Sequence, residues 1–71
     1  KNNESEKAEA YSRSAVRIKP ENEDFQLNHA KILIANKKVK QAQKILGQLI
    51  EKTKSLDTKQ AVAAELNKLN Q

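Results

Sequence analysis

Apolar side chains recur at three- and four-residue steps in four stretches of this chain, and polar or helix-stopping residues separate the stretches. The first runs from Glu4 to Ile18, with Ala8, Tyr11, Ala15 and Ile18 on one stripe. Pro20 stops it, because the residue before a proline is pushed out of the helical region. The link from Pro20 to Asp24 supplies cap oxygens and acidic charge for a second helix over Glu23 to Asn36. That helix should bury Phe25, Ala30, Leu33 and Ile34, with Leu27 and Ile32 at the edges. Asn36-Lys37-Lys38 is a polar break. In a third helix, Val39 to Lys52, the residues Val39, Ala42, Leu46 and Leu49 form the stripe. Ile45 and Ile50 widen it, so this helix should pack against neighbours on two sides. A fourth helix is expected to start after Asp57, where Asp57 and Gln60 have capping-box spacing. Its narrow stripe of Val62, Leu66 and Leu69 suits the end of a stack, where only one face has a neighbour.

Composition narrows the chemistry. A chain of 71 residues holds one small unit, and Tyr11 and Phe25 are its only aromatics, so the core must be aliphatic. The absence of cysteine removes disulfides, thiolate metal sites and thiol nucleophiles. With one glycine and one proline, a turn-rich β fold is disfavoured and a glycine-rich phosphate loop is excluded. No apolar run is longer than that of Ile32 to Ala35, which is far too short to cross a bilayer. The net charge of +5 is concentrated in residues 31–55, where seven lysines face the single acid Glu51. Such an excess concerns steering and solubility and does not fix a fold.

Sliding the chain against itself by 34 residues aligns Ala8 with Ala42 and Ala30 with Ala64. It also aligns Ser12 with Leu46, Ala15 with Leu49 and Val16 with Ile50. Paired alanines matter because a small side chain lets two helix backbones cross closely. At these residues the sequence resembles the tetratricopeptide repeat (TPR) family, whose unit has this length. Ala8, Ala15 and Pro20 fit the spacing of a unit's second helix, and Ser12 stands where a large residue is usual. Ala30 and Leu33 fit the first helix of the next unit, and Val39, Ala42 and Leu46 its second. Gln26, His29 and Lys37 replace the usual large residue, the usual leucine and the usual turn glycine, and Lys54 stands in the place of the closing proline.

The resemblance implies an all-α fold of stacked antiparallel helix-turn-helix hairpins, a TPR-like α-solenoid fragment with a C-terminal capping helix. Residues 1–20 would be the second helix of one repeat, 21–54 one full repeat and 55–71 the cap. Because this register begins in mid-unit, the chain is expected to be an excerpt of a longer array. The first helix would then expose a face through which the chain could self-associate. The resemblance further implies a non-enzymatic scaffold or adaptor that holds a peptide or helix in a groove. On this chain the groove would be lined by Asp24, Leu27, Asn28, Lys31 and Ala35, with Thr58, Val62, Glu65 and Leu69 from the last helix. Thr58 and Val62 occupy the places of the basic clamp used by chaperone-tail-binding members, so that specificity is not expected.

Other candidates point elsewhere or nowhere. Lys37, Lys38, Lys40 and Lys44 form a basic turn that could attract a polyanion, and a nucleic-acid-binding helical unit is the competing class. A solvated face is favoured, because the region lacks the aromatics and arginines that read bases. His29 is the sole acid/base candidate near neutral pH, and its place on a packing face marks it as structural. Glu4, Glu6 and Glu9, with Glu21, Glu23 and Asp24, read as solvated helix-start charge and not as a metal site. No cofactor or metal is expected, membrane insertion is not expected, and no compartment can be assigned.

Overall fold

The computed structural model describes residues 4–69. Residues 1–3 and 70–71, at the outer ends of the expected 1–20 and 55–71 segments, lie outside them. Four helices follow one another: α1 (Glu4–Ile18), α2 (Glu23–Ala35), α3 (Val39–Lys52) and α4 (Leu56–Leu69). Each packs on the next, and α2 also touches α4, in a slab of 37 × 32 × 16 Å. This is the expected all-α helical-hairpin fold. The core is aliphatic, with Ala30, Leu33, Ala42, Leu46, Leu49 and Val62 at 0–1% exposure. Leu27, Ile34, Ile45, Ile50, Leu66 and Leu69 pack against it, half-buried.

The helix ends have local causes. The Oδ1 atom of Asn22 accepts the Phe25 amide at 3.0 Å and caps α2, with Glu23 and Asp24 in the favourable first turn. At the other end α2 stops at Ala35, one residue short of the expected Asn36. There the Lys38 amide donates to Leu33 O at 2.8 Å and the Lys37 amide to Ile34 O at 3.0 Å, closing the helix through a left-handed residue. That residue is Lys37, with φ of 66°.

The fourth helix begins earlier than expected. Ser55 is its cap, its hydroxyl accepting the Thr58 amide at 3.3 Å. Asp57 therefore lies inside the first turn, where its carboxylate faces the helix dipole. The polar link before it is anchored by buried Thr53, which accepts the Ser55 amide at 3.1 Å and donates to Glu23 at 2.6 Å.

On α1 the expected stripe is half right. Ala8 and Ala15 are half-buried, but Tyr11 and Ile18 are each 76% exposed. The face that α1 turns to α2 is instead the one bearing buried Glu9 and Ser12. Tyr11 and Ile18 belong to a second face that meets no helix among the described residues.

The chain's one glycine is not at its one left-handed position. Gly47 sits in mid-helix with a negative φ, and a Cβ there would meet nothing within 4 Å. Gly47→Ala should therefore stabilise by about 0.5–1 kcal/mol. Lys37→Gly should gain about 1 kcal/mol by relieving the left-handed backbone. Urea unfolding of the two variants checks both, and a loss of stability in either would contradict the assigned backbone.

Candidate partner-binding groove

One face of α2 collects the expected groove residues. Asp24, Asn28, Lys31 and Ala35 are exposed there, and Leu27 is half-buried beside them against the core. The spacing explains it: three- and four-residue steps keep these side chains on one face, while Ala30 and Leu33 turn inward. α2 also touches α4, which bears the other expected groove residues. Thr58, Glu65 and Leu69 are half-buried. Glu65 is also 3.8 Å from Lys68 of its own helix.

Val62 is a correction. It is fully buried in the core cluster and offers no surface to a partner. As the inward residue of the α4 stripe, it packs against the α2–α3 pair and does not line a groove.

In the basic turn one lysine is paired within the fold. Lys37, Lys38, Lys40 and Lys44 are all exposed, but the Lys38 ammonium is engaged, 2.8 Å from a Glu9 oxygen. Glu9 in turn is not solvated helix-start charge: its side chain is 5% exposed. It accepts Lys38, Asn36 Nδ2 at 3.0 Å and Arg13 at 2.7 Å. These bonds, Lys38 first and Asn36 second, hold its carboxyl at about 2, against a contrary push from burial. Asn36 also donates to Ser5 O at 3.1 Å. The result fastens α1 to the turn between α2 and α3. Glu23, read as solvated too, accepts the Thr53 hydroxyl.

His29 is buried on α2, as its packing position implied. Its Nδ1 lies 2.6 Å from Ser12 Oγ of α1, a partner that helical spacing within α2 could not reveal. Ser12 Oγ also lies 2.9 Å from the Glu9 carbonyl oxygen, which ties the pair to the α1 backbone. Burial, and next the Arg13 charge, lower the His29 pKa. Among the described residues no buried side-chain polar atom lacks a partner, and no group of acidic and histidine side chains could hold a metal ion.

Both shifts make the fold sensitive to acid, with the same sign. His29, lowered from 6.5, is disfavoured when charged in the folded state, so stability is lost as pH falls below the unfolded value. Glu9, lowered from 4.5 to about 2, contributes stability that is lost across that lower window. The urea midpoint should hold above pH 7, decline below about 6.5 and fall again below about 4.5. His29→Gln should flatten the first decline and Glu9→Gln the second. Identical pH profiles for wild type and both variants would contradict these assignments.

A family model described as tetratricopeptide repeat matches residues 1–65. No curated protein and no solved structure matches the chain. None of the helices is long and apolar enough to cross a membrane among the described residues.

Proposed function

We propose that this chain, which belongs to the tetratricopeptide repeat family, acts as a scaffold or adaptor holding an extended peptide or a helix of a protein partner against α2. Repeats of this family generally mediate protein–protein interactions and are generally non-enzymatic. The observation that carries the finer reading is the exposed row Asp24, Asn28, Lys31 and Ala35 on one face of α2, beside half-buried Leu27. An amide that can bond a peptide backbone, a cation and two small or aliphatic contacts suit an extended segment. Thr58 and Glu65 would edge the same groove.

Display selection of extended peptides against the chain, followed by titration of a selected peptide, tests this. Asn28→Ala with Lys31→Ala should weaken binding roughly tenfold, through faster dissociation, given about 0.5–1.5 kcal/mol for each lost polar contact. Lys37→Ala with Lys40→Ala should change mainly the association rate and its salt dependence. Affinity that collapses with the turn lysines and ignores Asn28 would replace the groove by the polyanion reading. Lys38 is left out of that comparison because its ion pair with Glu9 makes it structural.

A further inference from the structure

The 34-residue offset relates surfaces as well as sequences. Where α1, α2 and α3 meet, Val16, Gln26 and His29 line one side of a cavity of about 150 Å³, and Ile45, Gln48 and Lys52 of α3 line the other. Advanced by 34 positions, the first three become Ile50, Gln60 and Ala63. Those three, with Ala64, line an open hollow of about 530 Å³ between α3 and α4. Moved back by 34 positions, the α3 wall becomes Tyr11, Ser14 and Ile18. Tyr11 and Ser14 line the outer face of α1, where Tyr11 and Ile18 are each 76% exposed. Among the described residues, α1 and α4 thus carry, unpaired, the two halves of an interface that the molecule already makes between α2 and α3.

We infer that a second copy of this chain docks its α1 on α4, head to tail, with Tyr11 in the hollow between Ile50 and Ala63. Ala8 of one copy then crosses Ala64 of the other, as Ala42 and Ala30 come together in the core. Charge favours the same antiparallel direction. The start of α1 bears Glu4 and Glu6 and would meet Lys68 in the last turn of α4, while Arg17 at the end of α1 would meet Asp57. The parallel direction would set Glu4 and Glu6 against Asp57. The two patches differ, so the contact is heterologous: each added copy leaves one α1 and one α4 open, and the assembly grows past two. This inference goes beyond groove binding and uses other surfaces, so Asn28→Ala with Lys31→Ala should leave it intact.

Sedimentation velocity of the 71-residue chain across a concentration series tests it. The average mass should rise past two copies without a plateau there. Tyr11→Lys and Ala64→Arg, both at exposed positions, should each abolish association while helicity by circular dichroism is kept. If Ala64→Arg loses helicity, Ala63→Arg on the same exposed face serves in its place. An equimolar mixture of the α1 and α4 variants should associate again and stop at two copies, since one chain keeps a working α4 and the other a working α1. A monomer at every concentration, a dimer that survives the α4 variant, or a mixture that stays monomeric would each overturn the inference.

Discussion

Leu46→Ala is expected to leave the chain largely unfolded at room temperature. Leu46 is fully buried at the centre of α3, within the cluster that joins α2, α3 and α4. Truncating a buried leucine costs about 2–5 kcal/mol, from lost transfer energy plus the cavity left behind. A core of this size rarely supplies more than about 3–5 kcal/mol in total. The slab is one hairpin layer deep, so few neighbours can relax inward to fill the gap. Ile45→Ala, one residue away but half-buried, removes about as many carbons and should cost distinctly less. Far-UV circular dichroism with urea titration separates the two outcomes. Equal losses in the two variants would contradict the assigned rotation of α3.

Ala42→Leu should destabilise by about 1–3 kcal/mol, for the opposite reason. Ala42 and Ala30 are both at 0% exposure in the packed α2–α3 pair, and a leucine there has no space to enter without parting the helices. Ala64 occupies the equivalent repeat position, 34 residues after Ala30, but it is exposed on α4. Ala64→Leu should therefore stay within about 0.5 kcal/mol of the parent, measured in dilute solution where no second copy covers it. The same chemical change at two repeat-equivalent alanines isolates the effect of a covering helix. An unchanged thermal midpoint for Ala42→Leu would mean that the hairpin crosses elsewhere.

The departures from the repeat pattern proved as informative as the matches. Ser12 and His29 each stand where a large apolar residue is usual, and each looked like a loss. In the fold they are partners at 2.6 Å, a polar pair at facing core positions. The signal was present in the sequence as two polar residues at sites that demand burial, since such groups require a partner. What it lacked was any indication that the two sites face each other. Lys37 is a similar case: the place of the turn glycine was correctly located, and the backbone there is left-handed even with lysine.

Residues near each other in the chain determined the elements. Pro20, the polar break at 36–38 and the apolar steps of α3 set boundaries that the structure keeps to within about two residues, because propensity, capping and periodicity are local properties of the backbone. The repeat offset likewise located the Ala30–Ala42 core, since the stacking of hairpins follows from which positions are small. The tertiary structure alone decided what each surface meets. Glu9 read as one of six solvated acids until Asn36 and Lys38, 27 and 29 residues away, closed over it. Tyr11 read as core until α1 turned Glu9 and Ser12 inward, leaving the stripe without a neighbour. Val62 read as groove until α4 packed on the α2–α3 pair. For Val62 periodicity had found the buried stripe correctly, and for Glu9 and Tyr11 it had not, because burial depends on whether another helix covers a face, which a local pattern does not encode.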